Sequence, residues 1–318
     1  MTEPALLSLT IKPRTEADQE RLALGLRALT AEDPTISAKT NPSTGEVVVA
    51  VTGELQLEIV VDRLRREFNV EARLSRPLVA YRETLTRPAD GEGRVERRVG
   101  GRSEYAHVRV RLYPGEPGSG YAFASELTGG GILQEFIKPI EEGIQEALAR
   151  GFLAGYPVDD VRVVLYDGSY HANDSSELAF RIAGSMACMD AAKEAEPIVT
   201  EPVMRVEVMT PTEWMGDVIG DLTRRRGQIQ SQDDYDGMRR IGARVPLSQM
   251  FGYASDLRSR TRGRGTFAME FASYQPCEPP ENQDTGDDSM VTVPRKPSPT
   301  LLDSSVALPE PTDEDGRE

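Results

Sequence analysis

Histidine and cysteine are scarce in this chain. It has two of each in 318 residues: His107, His171, Cys188 and Cys277. Their spacings make neither a zinc site nor a disulfide framework, which suits a reducing cytosol. No apolar run is long enough to cross a bilayer, and the N-terminus lacks the apolar core of a signal peptide. The pattern G-x-x-x-x-G-K-[ST] occurs nowhere, so no P-loop is present to cradle nucleotide phosphates. Positive charge is in deficit as well. Lys and Arg number 37 against 52 Asp and Glu, giving a formal charge of −15 and a pI near 4.8. That balance argues against indiscriminate nucleic-acid binding.

The deficit is uneven. Residues 277–318 hold eleven acidic and three basic side chains, so −8 of the −15 sits in this Pro-rich segment. It has no lasting hydrophobic period and is expected to be a disordered tail, because it cannot bury enough apolar surface to offset ordering entropy. The remaining residues fall into three parts. In 1–75, LLSLTI reads as a strand, and Thr15 with Asp18 opens a helix carrying Leu22, Leu26 and Leu29. Two strands follow around Asn41–Gly45, then a helix from Gly53 and a strand at Val70–Leu74. The order β-α-β-β-α-β is a split βαβ, or ferredoxin-like, unit. The same order returns over 200–276. Between them, 76–199 is a different αβ piece. It has strands near Val79–Leu85, Gly93–Val99, His107–Tyr113 and Tyr121–Glu126, and a helix from Leu133 to Arg150. The expected class is therefore α+β.

Within the middle piece, Val161–Tyr166 reads as a strand ending at the turn trio Asp167-Gly168-Ser169. Asp174 and Glu177 read as a capping box opening a helix, with Leu178, Ile182 and Met186 as its buried stripe. His171 and Asn173 would then stand on a short loop between two anchored elements. Other candidates carry little. Gly129-Gly130-Gly131 lacks the Lys and Ser/Thr of a phosphate site, and Asp159-Asp160 and Glu141-Glu142 point apart. Ser175-Ser176 suits a helix start. Three arginine clusters stand out against the acidic background. They are Arg224-Arg225-Arg226, the set Arg258, Arg260, Arg262 and Arg264, and Arg94, Arg97, Arg98 and Arg102 around Gly100-Gly101. Arginine on glycine-rich turns suits sequence-independent contact with RNA phosphates.

The stretch GSYHANDSSELAFRIAGSMA resembles the loop and helix of the fourth domain of bacterial elongation factor G, the translocation GTPase. TGELQLEIVVDRLRREFNVEARLSRPLVAYRET is similar to the third domain and its junction to the fourth. MGDVIGDLTRRRGQI and VPLSQMFGYASDLRSRTRGRGTFAMEF are similar to the fifth. The resemblance covers essentially 6–276. It implies two ferredoxin-like domains flanking an elongated domain like the second domain of ribosomal protein S5. It also implies a monomeric cytoplasmic ribosome-binding part of a translocase that moves tRNA and mRNA. GTP and magnesium would belong to an upstream domain, with no cofactor or catalytic residue in this chain. The family's tip residues map to Gly100, Gly101, Arg102, His171 and Asn173. Arg98-Val99, Glu104, Ala106 and Ala172-Asn173 depart from the family's usual residues, as in a divergent copy. Two other readings remain open on the sequence: a GTPase-less paralogue, or a fragment of a ribosomal protection protein of the tetracycline-resistance type.

Overall fold

A computed structural model describes residues 5–41, 46–99, 102–127, 131–235, 237–279 and 291–293. The first unit runs β1 (Leu7–Pro13), α1 (Glu16–Glu32), β2 (Ser37–Thr40), β3 (Val47–Val51), α2 (Glu54–Arg66) and β4 (Ala72–Leu74). Alternation sets its register. Leu7, Leu9 and Ile11 of β1 pair antiparallel with Val51, Val49 and Val47 of β3, and all six are buried. The strand order β4-β1-β3-β2 is that of a ferredoxin-like sheet. α1 starts where expected, with the Thr15 hydroxyl accepting from the Asp18 amide at 3.1 Å.

Two short strands, β5 (Leu78–Val79) and β6 (Arg82–Leu85), follow. The sequence pattern places them in the middle piece, but they join the flanking sheets instead. β5 pairs with β1, and β6 pairs with the later strand β11 (Pro197–Pro211).

The middle unit has β7 (Ala89–Val99), β8 (Arg102–Pro114), β9 (Tyr121–Ser125), α3 (Gln134–Arg150), β10 (Val161–Ser169) and α4 (Glu177–Ala192). Its sheet order is β7-β8-β10-β9, with β9 and β10 parallel. Both helices contribute to one core with Val108, Val110, Leu112, Ile140, Ile144 and Phe180.

The structure corrects the reading of α4. Leu178 and Met186 are exposed, Ile182 is half-buried, and the buried stripe is Ala179, Phe180, Ala183, Gly184, Ala187, Cys188 and Ala191. Close approach explains this. A Cβ on Gly93 would lie 1.9 Å from the Ala183 carbonyl, and one on Gly143 of α3 would lie 1.9 Å from the Arg181 carbonyl. Only small side chains fit where backbones meet at that distance, so the larger aliphatics turn outward. The helix also starts later than the proposed capping box. Ser176 is the cap, its hydroxyl accepting from the Ala179 amide at 3.2 Å. The strand before it runs on to Ser169 through a bulge between Leu165 and Asp167, so Asp167-Gly168-Ser169 is not a turn.

The third unit begins with β11 and continues with α5 (Met215–Arg224), β12 (Gln228–Tyr235), β13 (Met238–Pro246), α6 (Tyr253–Arg260) and β14 (Thr266–Pro276). The order β12-β13-β11-β14 repeats the ferredoxin-like arrangement. Its core residues Val206, Val208, Leu222, Ile241 and Tyr253 are continuous with those of the first unit. The Tyr274 hydroxyl donates across the two units to the Ala80 carbonyl at 3.0 Å. Most of the proposed tail lies outside the described residues. Three of its residues form β15 (Val291–Val293), antiparallel to β4 on the edge of the first sheet.

One buried carboxylate ties the root of the middle unit. Glu83 of β6 is fully buried and accepts from the amides of Phe152, Leu153, Ala154 and Tyr156 at 2.5, 2.9, 2.7 and 3.2 Å. Its neighbour Arg82 pairs with Asp159. No described helix is long and apolar enough to cross a membrane.

Candidate nucleic-acid interface

The sequence-proposed tip residues come from two elements, and hydrogen bonds join them. The hairpin β7–β8 closes where Val99 pairs with Arg102. Gly100 and Gly101 lie outside the described residues. The second element is the turn His171–Asp174 after β10. Its Asp174 carbonyl accepts from the Tyr105 amide of β8 at 2.8 Å. Ser175 closes the join: its hydroxyl accepts from the His171 amide at 2.9 Å and donates to the Tyr105 carbonyl at 2.7 Å. His171, Ala172 and Asn173 are all exposed.

The ring of His171 is not loose. It stacks on Tyr105 with centroids 3.7 Å apart and planes 3° from parallel. Its Nδ1 is 3.9 Å from an Asp174 carboxylate oxygen. Beneath it lies a network that the sequence does not announce. The Tyr105 hydroxyl and the Ser169 Oγ share a hydrogen bond at 2.8 Å, Ser169 Oγ lies 3.3 Å from His107 Nδ1, and His107 Nε2 lies 2.9 Å from Glu92. The only two histidines of the chain therefore meet through one tyrosine and one serine. Arg109 completes the chain at 3.2 Å from Glu92, and its hydrogen bond, with that of His107, holds the Glu92 carboxyl below its ordinary range. Tyr105 and His107 sit two apart on β8, so they share a sheet face. That spacing was the available signal for the second histidine.

The arginine clusters divide into interior and outward-facing sets. Asp221 is buried, and three guanidiniums converge on it: Arg224 at 3.2 Å, Arg225 at 3.1 Å and Arg260 at 3.0 Å. Arg225 is an interior residue with a side chain 14% exposed. It also donates to the Gln249 and Phe251 carbonyls and to Asp256, and lies over the Tyr253 ring at 5.1 Å. It holds two loops together and offers nothing to an RNA backbone. Arg226 is half-exposed but pairs with the buried Glu201. Arg264 lies over Trp214 at 4.0 Å and pairs with Glu213. Arg224 projects outward, 68% exposed, and Arg258 and Arg262 are exposed with no ion pair among the described residues. Arg262 sits at φ 50° beside Gly263 at φ 80°, so a left-handed turn presents it. The available cations at this end are thus Arg224, Arg258 and Arg262.

The hairpin arginines are balanced by acids. Arg94 pairs with Glu96 and Arg97 with Glu104, each at 2.7 Å. Arg98 is exposed and unpaired among the described residues. No group of His, Cys, Asp and Glu suited to a metal ion occurs among the described residues.

Three family models match successive parts of the chain, together spanning residues 2–285. The model described as elongation factor G, domain III covers residues 2–76, that of domain IV covers 77–196, and that of the elongation factor G C-terminus covers 198–285. The chain belongs to the elongation factor G family. Among solved structures, it is similar to a protein from Thermus thermophilus, with 37% identity and a TM-score of 0.68. That match covers 88% of this chain and 42% of the other, so the chain spans less than half the length of that relative. In family terms, the site joining β7–β8 to the His171 turn lies in domain IV, and the Arg224, Arg258 and Arg262 set lies in the C-terminal domain.

Proposed function

We propose that this chain is the ribosome-binding part of a translocase of the elongation factor G type, acting with its domain IV tip toward tRNA and mRNA in the A site. The single observation that carries the reading is the tip itself. An aromatic ring, His171, is held on a turn locked to a β-hairpin, the arrangement suited to contact with unpaired or distorted RNA. The three-domain match supplies the context. Docking would come from the outward cations Arg224, Arg258 and Arg262, which meet phosphates without reading bases. The partners are the ribosome and its tRNA–mRNA complex, in the cytoplasm, with the chain acting as a monomer. Phosphoryl transfer needs a P-loop backbone, its Lys and a magnesium-binding Ser or Thr. GTP and magnesium would therefore be held by another segment of such a factor.

Chemical probing of ribosomes with the 318-residue chain tests the proposal. Protection of A-site bases that disappears with His171→Ala, while ribosome pelleting persists, is the expected result. Absence of ribosome binding at low salt would overturn it.

A further inference from the structure

We infer that Tyr105 is a positioning residue: it fixes the plane of His171 so that the ring presents its outer face as a ready stacking surface for an unpaired nucleobase. The inference rests on the ribosome-binding reading for its ligand and on geometry for the rest.

A histidine on an exposed turn would ordinarily sample several χ1 wells. It would lose that freedom on meeting a base, at a cost to affinity. Here the freedom is already removed on two sides. The backbone of the turn is fixed through Ser175, whose hydroxyl links the His171 amide to the Tyr105 carbonyl. The ring lies flat on Tyr105 at 3.7 Å and 3°. Tyr105 is itself held at its far end, because its hydroxyl bonds Ser169, which reaches His107 and, through it, Glu92. The support continues into β7, where the Arg94 guanidinium lies 5.9 Å from the Tyr105 ring. The His171 side chain remains 57% exposed despite the stack. A planar ring braced on one side and open on the other is what sequence-tolerant base stacking uses, since every base has a π-face.

A simple packing role for Tyr105 makes a different forecast. The tyrosine would then matter for stability alone, and the plane of His171 would not follow it.

The two-histidine composition makes the test direct. The full chain labelled in histidine gives two sets of ring signals, assigned with His171→Ala, and methyl signals of the buried core, such as Val110 and Leu112, report on the fold. Tyr105→Phe keeps a stacking ring, so the His171 ring protons should keep their upfield ring-current shift. Tyr105→Leu removes the ring and should abolish that shift. If Tyr105→Leu displaces the core signals, Tyr105→Val, which suits a strand, replaces it. In the ribosome-probing assay, the leucine variant should need roughly tenfold more protein for A-site base protection, the scale of one lost base–aromatic stack. The phenylalanine variant, which keeps the ring and loses the Ser169 bond, should lie between the leucine variant and the wild type.

An unchanged His171 shift in the leucine variant overturns the inference. So does a released ring with unchanged base protection. If the wild-type chain fails to bind ribosomes, the functional reading falls and the base-stacking role falls with it. If it binds and the variants protect equally, only the role of Tyr105 falls.

Discussion

The guanidinium of Arg225 meets the buried carboxylate of Asp221 at 3.1 Å, although both sequence neighbours of Arg225 point to the surface. Three consecutive arginines thus do different work, and their substitutions should separate. Arg225→Glu places a carboxylate against Asp221 and leaves two carbonyls without a donor. It should cost roughly 3–5 kcal/mol, the range for breaking a buried pair. Arg262→Glu and Arg258→Glu, which meet no buried carboxylate, should change stability by less than about 1 kcal/mol. They should instead weaken ribosome binding and flatten the plot of log affinity against log salt by roughly one unit per lost phosphate contact. Thermal melts and salt-titrated pelleting measure the two effects. A salt slope unaltered by both surface changes would assign these cations to the solvated face.

Glu83 should be replaceable by nothing of its own shape. Gln keeps one oxygen but turns an NH₂ toward two of the four amides at Phe152, Leu153, Ala154 and Tyr156. Glu83→Gln should destabilise by about 2–3 kcal/mol, the scale of hydrogen bonds to a charged group. Hydrogen exchange should speed up at those four amides first. Uniform exchange across the chain would mean the carboxylate does not act locally.

Gly93→Ala should be far more damaging than Met186→Ser, although the second removes the larger apolar group. A Cβ at Gly93 would sit 1.9 Å from the Ala183 carbonyl, so α4 must move off the sheet, a cost of about 1–3 kcal/mol or more. Met186 is exposed, and its replacement should stay within about 0.5 kcal/mol. Urea denaturation of both variants orders them, and the reverse order would refute the packing described for α4.

Asp18 should confer acid sensitivity on the first unit. Burial pushes its carboxyl up, but hydrogen bonds from Thr15, Arg21 and the Glu71 amide, with the Arg21 charge, outweigh this and pull it from 3.8 to about 2. A carboxyl with a lowered folded value stabilises above its unfolded value. Its contribution, about 2 kcal/mol here, is lost as pH falls from about 4 through about 2. Asp18→Asn should therefore be less stable than the wild type at neutral pH, with the gap closing across that window. A gap that is the same at every pH would exclude a charge effect.

The flanking units were legible because their signals are local. Thr15 and Asp18 mark a helix start by their own hydrogen bond, and β1 and β3 alternate strictly. In the middle unit the α3 stripe of Phe136, Ile140, Ile144 and Leu148 was equally legible, but α4 was harder because its packing inverts the usual size rule. Leu178, Ile182 and Met186 repeat as a buried stripe would, yet Gly91, Gly93 and Gly143 bring backbones so near that alanines take the inside. Long-range partners were the other blind spot. Nothing near Glu83 in sequence indicates the amides seventy residues on, and nothing around Arg225 separates it from Arg224 and Arg226. At the tip, His171 could be picked out by its loop, but Tyr105 could not, since only the fold brings β8 beneath that turn.

The pairing of β6 with β11 has a mechanical consequence. The chain enters the middle unit from Leu85 and leaves it at Pro197, and those two residues are direct partners in the ladder. Thr86 and Arg87 extend the join by donating to the Ala195 carbonyl. The whole unit therefore hangs from one two-stranded stem, like a paddle on a single shaft. Torque applied at the His171 end must pass through that stem and the adjoining loop gripped by Glu83. The stem is also a natural cut point: a short turn linking Leu85 to Pro197 would remove the paddle and leave both flanking sheets with their hydrogen-bond ladders intact.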